Sequence, residues 1–179
     1  MMTPPLAITM GDASGVGPEI LLRAFASGEL GTDVVAVGDL AVLELCNRRL
    51  HCDVTLEPVT APRPATPGIL GVLDEGALTE QALRIGEIDR ASGAAALAYV
   101  ARATRLALAG DAAAVVTLPI NKAATRLSAP TFTGHTEYVA ELCGRTSSTL
   151  MLASERAIVT HVSTHVSPVS YTHLTLPTN

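Results

Sequence analysis

The sequence predicts an α/β fold in which helices flank a largely parallel sheet. Short apolar runs alternate along the chain with longer helical segments, and this alternation is typical of βαβ units. Hydrophobic residues make up 48% of the 179 residues and charged residues 16%, whereas disordered chains are rich in charge and poor in apolar residues. Because aromatic residues amount to only 3%, we expect a core of Ala, Val, Leu and Ile.

Five apolar runs predict the strands of this sheet. Each run is short and ends near Gly, Pro or another turn residue. The predicted strands are residues 6–10, 34–37, 54–56, 69–73 and 113–118. Two further segments, 149–153 and 157–162, predict a strand pair around a turn at 154–156. The stretch 58–67 carries four prolines and is predicted to be a loop.

Helix signals fall between the predicted strands. Pro18 occupies a favoured first helical position with Glu19 in the first turn, and together they predict a helix that runs to Ala26. Asp39 is predicted to cap a helix that runs to about Arg49. Further helices are predicted at about 88–108, where glycine follows at 110, at 121–128 and at 136–143.

The composition also excludes several classes of function. Seventeen acids against twelve Lys plus Arg give a net charge of −5, so the chain lacks the basic footprint of a nucleic-acid-binding protein. No apolar run approaches the roughly 20 residues needed to span a bilayer. Residues 1–5 do not read as a signal peptide. Three cysteines without a C-x-x-C pair, at 46, 52 and 143, predict reduced thiols in a cytoplasmic protein.

A glycine-rich loop between the first strand and the first helix is a candidate site. Its pattern, G-x-x-x-G-x-G over residues 11–17, differs from the G-x-G-x-x-G of dinucleotide-binding folds. A glycine turn that leads into a helix N-terminus can host an anion, but it can equally be a tight connection. Within the loop, Asp12 is either a functional carboxylate or a turn residue, and the turn role is favoured.

Two later segments place polar residues where ligands gather in α/β folds. Thr117, Asn121 and Lys122 lie at or just past the carboxyl end of a buried strand, although Lys122 could equally be an ordinary exposed lysine. His135 and Thr136 follow a glycine at a helix start, where their side chains and free backbone N–H groups can bind a phosphate.

Two histidines near residue 160 are candidate metal ligands. His161 and His165 lie four residues apart in a segment rich in β-branched residues. On a strand their Cα atoms are ~13 Å apart, so they cannot chelate one ion together. Either could be a single ligand with partners elsewhere in the fold, or an ordinary histidine.

Four segments occur together in an order and spacing that resemble one enzyme family. They are ITMGDASGVGPE at 8–19, PINK at 119–122, FTGHTE at 132–137 and VSTH at 162–165. Together they are similar to the 4-hydroxythreonine-4-phosphate dehydrogenase (PdxA) family of vitamin B6 biosynthesis, over residues 6 to about 167.

This resemblance implies a fold like that of the isocitrate and isopropylmalate dehydrogenases, in a homodimer with active sites at the subunit interface. It implies oxidation of 4-phosphooxy-L-threonine with decarboxylation, with NAD and a divalent metal (Zn, Mg or Co) as cofactors. By the same resemblance, His135 and Thr136 bind the phosphorylated substrate and His165 is a metal ligand, whereas His161 matches no ligand position. The catalytic and NAD-binding residues stay unassigned.

Two features of the sequence depart from this family pattern. The segment 161–165 is similar to a paralogous branch that acts on 4-phospho-D-threonate or 4-phospho-D-erythronate, which carry a hydroxyl in place of the amine. Residues 1–167 are expected to form the N-terminal portion of such an enzyme, whose C-terminal half is missing, and residues 168–179 a non-native tail. As written, the chain is therefore expected to be inactive, or at most a phosphate-binding fragment.

Overall fold

The computed structural model of the protein describes residues 3–160. Five parallel strands form its main sheet in the order β3-β4-β2-β1-β5. These strands are β1 (Leu6–Thr9), β2 (Val34–Gly38), β3 (Thr55–Pro58), β4 (Ile69–Asp74) and β5 (Ala114–Thr117). A second, antiparallel sheet pairs β6 (Met151–Ala153) with β7 (Ile158–Thr160). The predicted fold class and every predicted strand are confirmed, although β3 extends to Pro58, a residue predicted to lie in a loop.

Within residues 3–160, five helices connect or flank these strands. They are α1 (Gly17–Ala26), α2 (Leu40–Leu50), α3 (Arg90–Ala109), α4 (Lys122–Arg126) and α5 (His135–Leu142). Their bounds differ from the predicted ones by a few residues. The predicted start of α3 at about 88 is two residues too early, because the Asp89 side chain accepts a hydrogen bond from the Ser92 N–H (2.8 Å) and so caps a helix that begins at Arg90.

The sheet is covered by helices on both faces. Parallel crossover connections are right-handed, and the β4-to-β5 connection runs across the sheet in the direction opposite to the β1-to-β2 connection. The β2-to-β3 connection, which contains α2, runs in the same direction as the β1-to-β2 connection, which contains α1. These two connections therefore place α1 and α2 on one face, and the β4-to-β5 connection places α3 on the other. The central strand β2 is buried along its whole length, and the α4 and α5 helices pack against α3.

The contact between α3 and α4 depends on a glycine. A Cβ atom built on Gly93 would lie 2.3 Å from the carbonyl carbon and oxygen of Ala124. No side chain fits between the two backbones, so α3 and α4 can approach this closely only with glycine at this position. The position of α4 relative to the sheet is therefore set by α3.

The predicted cap of α2 is wrong in one respect. Asp39 occupies the N-cap position as expected, but its side chain makes no capping bond. Its carboxylate faces the core, where it accepts hydrogen bonds from the Ala77 N–H (2.8 Å) and the Tyr99 hydroxyl (2.5 Å). The side chain of Asp74, at the end of β4, accepts the Leu40 N–H bond instead (3.0 Å).

Several predicted features lie outside the described residues. They are His161, His165, the end of the second predicted strand of the pair, and the tail 168–179. Within residues 3–160, no helix is both long enough and apolar enough to cross a membrane.

Candidate functional site

The carboxyl ends of β1 and β5 mark the point where the chain changes direction in the sheet. After β1 the chain turns to α1 on one face, and after β5 it turns to α4 on the other face. Ligands in open α/β sheets bind in the crevice at such a point. The two loops that follow these strands carry Asp12 and Lys122, so the segments singled out in the sequence meet here.

These two loops are in direct contact. The Asp12 N–H donates a 2.9 Å hydrogen bond to the carbonyl oxygen of Pro119. Gly11 has a φ of +75°, and a Cβ built on it would lie 2.4 Å from the same oxygen. A Cβ on Gly17 would lie 2.1 Å from the Met10 carbonyl oxygen. Close packing thus accounts for glycine at both positions, as expected for a tight connection.

Asp12 has the role of a turn residue. Its Oδ1 accepts a 3.0 Å hydrogen bond from the Ser14 N–H, and only 5% of its surface is exposed. Burial raises the pKa of this carboxyl; the Ser14 hydrogen bond opposes that shift and the charge of Asp89 adds to it. The hydroxyl oxygens of Ser14 and Ser92 lie 2.7 Å apart and connect the loop to α3.

The turn from β5 into α4 carries two polar residues, of which one caps the helix and the other is exposed. Asn121 caps α4, because its Oδ1 accepts hydrogen bonds from the Ala123 N–H (3.0 Å) and the Ala124 N–H (3.2 Å). Lys122 is the first residue of α4 and is exposed. The cap fixes the backbone from which the Lys122 side chain extends.

The start of α5 presents unused hydrogen-bonding groups. Gly134 occupies the N-cap position with a φ of 172°, which is extended backbone, and supplies no side-chain cap. The N–H groups of residues 135–137 have no acceptor within the described residues. His135 Nε2 is buried and has no hydrogen-bond partner within them either. Such a helix start can bind an anion.

The surroundings of the His135 ring favour its uncharged form. Burial lowers the pKa of the imidazole, and the positive charge of Lys122 lowers it further. Lys122 Nζ lies 3.8 Å from the position that a Cβ would take on Gly134, and Glu137 Oε2 lies 3.1 Å from it. Lys122, His135 and the first turn of α5 therefore form one polar cluster, which we call the α5 cluster.

The two predicted substrate-binding residues open onto a shallow concavity beside the edge strand β5. His135 and Thr136 lie at its wall, and the remaining lining comes from β5, α5 and the segment after α5. These lining residues are Val115, Thr117, Val139, Ala140, Cys143, Arg145, Ser147 and Ser148. The structure brings His135 and Thr136 together with Lys122, but their role in binding substrate stays a prediction.

The third predicted site residue, His165, lies outside the described residues. Within residues 3–160, no three His, Cys, Asp or Glu side chains are grouped so that they could hold a metal ion. This part of the chain does not fit a metal on its own. Its loop pattern at 11–17 is likewise not that of a dinucleotide site, and Gly11 and Gly17 there serve packing.

One buried polar pair had no signal in the sequence. Asp39 and Tyr99 are 60 positions apart and meet only because α3 crosses β2. Similarly, the sequence placed Lys122 near the site without connecting it to His135. In both cases the contact depends on how the helices lie across the sheet, which local patterns do not determine.

The parallel sheet, its switch point and the α5 cluster define an α/β fold with a candidate small-molecule site. The family described as "Pyridoxal phosphate biosynthetic protein PdxA" matches residues 30–172. The chain belongs to this family, and the resemblance seen in its four sequence segments is confirmed.

Named relatives in this family are dehydrogenases. The D-threonate 4-phosphate dehydrogenase of Salmonella typhimurium is 38% identical over 170 residues, which are 93% of this chain and 52% of that protein. The 4-hydroxythreonine-4-phosphate dehydrogenase of Acidithiobacillus ferrooxidans is 37% identical over 170 residues, which are 93% of this chain and 50% of that protein. The chain thus spans about half the length of these relatives.

Solved structures of dehydrogenases are similar to this chain in fold, again over about half of their length. The 4-hydroxythreonine-4-phosphate dehydrogenase of Klebsiella pneumoniae matches with a TM-score of 0.85 at 36% identity, over 96% of this chain and 53% of that one. A terephthalate 1,2-cis-dihydrodiol dehydrogenase of Burkholderia xenovorans matches with a TM-score of 0.72 at 29% identity, over 93% of this chain and 50% of that one. The predicted fold class is confirmed by these likenesses.

Proposed function

We propose that this chain contributes the N-terminal half of a dehydrogenase that oxidises a four-carbon hydroxy acid phosphorylated at carbon 4. The observation that carries the proposal is the α5 cluster: the buried Nε2 of His135 has no partner within the described residues, and His135 itself begins a helix whose first N–H groups have no acceptor there. Such an arrangement suits the phosphate end of a substrate. The names of the relatives support the reaction class.

Two substrates are proposed, and they differ at one carbon. The first is 4-phosphooxy-L-threonine, whose oxidation with decarboxylation belongs to pyridoxal phosphate biosynthesis. The second is D-threonate 4-phosphate, in which a hydroxyl replaces the amine. Two relatives are named for the second substrate: those from Salmonella typhimurium and Pectobacterium atrosepticum are 38% and 36% identical to this chain. D-threonate 4-phosphate is therefore tested beside 4-phosphooxy-L-threonine.

The proposed roles of the site residues follow from their chemistry. The Thr136 hydroxyl and the uncharged His135 ring are directional hydrogen-bond groups for phosphate oxygens. NAD is the proposed hydride acceptor, and a divalent metal would bind the hydroxyl and carboxylate oxygens of the substrate. We propose His165 as one metal ligand; the others would have to come from beyond residues 3–160, because that part of the chain contains no metal-binding group of three.

The remaining expectations for the intact enzyme are proposals of the same kind. We propose a homodimer located in the cytoplasm. For the 179-residue chain by itself, we propose phosphate binding without turnover, since the described residues supply anion-binding groups but no metal site.

A chimera tests the proposed reaction. Residues 1–167 of this chain are joined to the second half of the Salmonella typhimurium relative. The match to this chain covers 52% of that relative, so its second half supplies the part that this chain does not match. NADH formation is measured with each of the two substrates, with added divalent metal and with a chelator. We expect metal-dependent NADH formation with at least one of them, and its loss in the His165→Ala variant.

The matched controls are the unmodified Salmonella relative and the 179-residue chain alone. A chimera that folds, as judged by circular dichroism and gel filtration, and yet forms no NADH from either substrate would contradict the proposed function. NADH formation that persists in a folded His165→Ala chimera would contradict the metal-ligand assignment alone.

A further inference from the structure

Lys122 and His135 belong to different helices but meet at one backbone position. Lys122 begins α4 and His135 begins α5. A Cβ built on Gly134 would lie 3.8 Å from Lys122 Nζ, and the charge of Lys122 acts on the His135 ring. The Lys122 ammonium therefore lies against the start of α5, where the unused N–H groups are.

The Lys122 ammonium has no carboxylate within ion-pair distance in the described part of the chain. The ion pairs there are Glu19–Arg23, Arg48–Glu80, Glu57–Arg63 and Glu75–Arg102. Glu137 Oε2 approaches the same point beside Gly134, at 3.1 Å from the Cβ position, but no ion pair with Lys122 within 4.0 Å results. The charge of Lys122 is thus not neutralised by a direct partner there.

The surroundings of His135 disfavour a positive charge on its ring. An uncharged imidazole offers one donor and one acceptor but no net charge. The burial of its Nε2 and the nearby ammonium both favour the uncharged form. A phosphate ester at neutral pH carries between one and two negative charges. A site built on His135 and Thr136 alone would orient this group without neutralising it.

We propose that Lys122 supplies the positive charge that meets the substrate's phosphate, while His135 and Thr136 supply the directional hydrogen bonds. A lysine suits this role because its ammonium is a compact charge on a flexible stem. The Asn121 cap holds the start of α4, from which that stem extends. This inference rests on the proposed function and adds a residue to its site.

Inorganic phosphate is the probe for this role. Its affinity for the 179-residue chain is measured by calorimetry, and the pKa of His135 by NMR of the histidine rings, with the resonance assigned from a His135→Gln variant. In Lys122→Met we expect phosphate to bind roughly tenfold or more weakly, as for a lost charged hydrogen bond. We also expect the pKa of His135 to rise, because one of the two causes that lower it is removed.

Two further variants separate this role from a general charge effect. Lys122→Arg keeps the charge and should retain most of the phosphate affinity. Arg156→Met removes one positive charge from the exposed turn between β6 and β7 and should change neither the affinity nor the pKa of His135. An equal loss of affinity in Arg156→Met and Lys122→Met would overturn the proposal.

The outcomes also distinguish this inference from the proposed function. If Lys122→Met binds phosphate as tightly as the unchanged chain while His135→Ala does not, the role of Lys122 is overturned and the site at His135 stands. If the unchanged chain shows no saturable phosphate binding, the proposed phosphate site fails, and the role of Lys122 fails with it.

Discussion

The hydroxyl of Tyr99 on α3 donates a 2.5 Å hydrogen bond to Oδ2 of Asp39 at the end of β2, and both residues have 0% exposure. The other carboxylate oxygen of Asp39 accepts the Ala77 N–H. This bond joins α3 to the carboxyl edge of the sheet. Since α3 also positions α4 and α5, the pair belongs to the framework that holds the α5 cluster.

The Tyr99 hydroxyl is expected to matter for stability. In Tyr99→Phe the buried carboxylate loses its only side-chain donor in the described structure, and we expect the free energy of unfolding at neutral pH to fall by about 1.5–3 kcal/mol. Urea denaturation measures the change. The control is Tyr138→Phe, whose ring keeps its edge-on contact with Phe132 and should change stability by less than about 0.5 kcal/mol. Equal effects in both variants would contradict the role given to the Tyr99–Asp39 bond.

Asp39 is expected to make stability depend on pH. Burial raises the pKa of its carboxyl above 3.8, although the hydrogen bond from Tyr99 opposes this shift. The folded state therefore holds the Asp39 proton more tightly than the unfolded state does. Its contribution to stability is fully present below pH 3.8 and is lost as the pH rises through the raised pKa.

The Asp39→Asn variant isolates this contribution. Its amide oxygen can accept the Ala77 N–H, its amide nitrogen can donate to the Tyr99 oxygen, and it does not titrate. We expect the unchanged protein to lose stability relative to Asp39→Asn as the pH rises from 3.8 towards neutrality. Urea denaturation at a series of pH values measures both. A stability difference that stays constant over this range would rule out the raised pKa.

Because α3 and α4 are in close contact, we expect Gly93→Ala to destabilise the protein, although alanine normally stabilises a helix. Alanine at position 93 would gain about 1 kcal/mol in helix propensity, but its Cβ would lie 2.3 Å from the Ala124 carbonyl and force the helices apart. We expect a net loss of about 1–3 kcal/mol, together with weaker phosphate binding because α4 carries Lys122. In the neighbouring exposed control, Ala94→Gly, only the propensity loss of about 1 kcal/mol is expected. Stabilisation by Gly93→Ala would refute this packing.

The two glycines that flank α5 are expected to respond differently to alanine. Gly134 has extended backbone, and its nearest neighbours are the ends of the Glu137 and Lys122 side chains. Gly134→Ala should therefore change stability by less than about 0.5 kcal/mol but weaken phosphate binding, because its Cβ enters the space beside Lys122. Gly144 has a φ of +66° and open space around it. Gly144→Ala should cost about 1 kcal/mol and leave phosphate binding unchanged.

Thermal or urea denaturation and phosphate calorimetry on the same two variants check this pair. The reverse pattern, with Gly134→Ala destabilised and its phosphate affinity intact, would show that position 134 serves folding and not the site.

Local patterns predicted most of the fold. The apolar runs located all five strands of the main sheet, because each strand is short and bounded by turn residues. Of these strands, β1, β2 and β4 are largely buried, whereas the edge strands β3 and β5 are partly exposed. Pro18 marked the start of α1, and the glycine after α3 marked its end, since both residues act on their own backbone. Boundaries shifted where a side chain such as Asp89 made a specific bond that the pattern does not reveal.

The site was predictable only in part. Glycine followed by His135 and Thr136 indicated a helix start with free N–H groups, and α5 begins there. The approach of Lys122 to Gly134 depends on the packing of α4 against α3, and the Asp39 carboxylate turns inward because Tyr99 lies opposite it. Both contacts join residues that are distant in the sequence, so single-segment patterns could not predict them.

The most direct test of the central claim compares a phosphorylated with an unphosphorylated substrate in the chimera. We would measure kcat/KM for D-threonate 4-phosphate and for D-threonate, in the unchanged chimera and in its His135→Ala variant. If the phosphate binds at the α5 cluster, the chimera should strongly prefer the phosphorylated acid, and His135→Ala should reduce that preference roughly tenfold or more. A preference that is unchanged in a folded His135→Ala chimera would place the phosphate elsewhere and contradict the account.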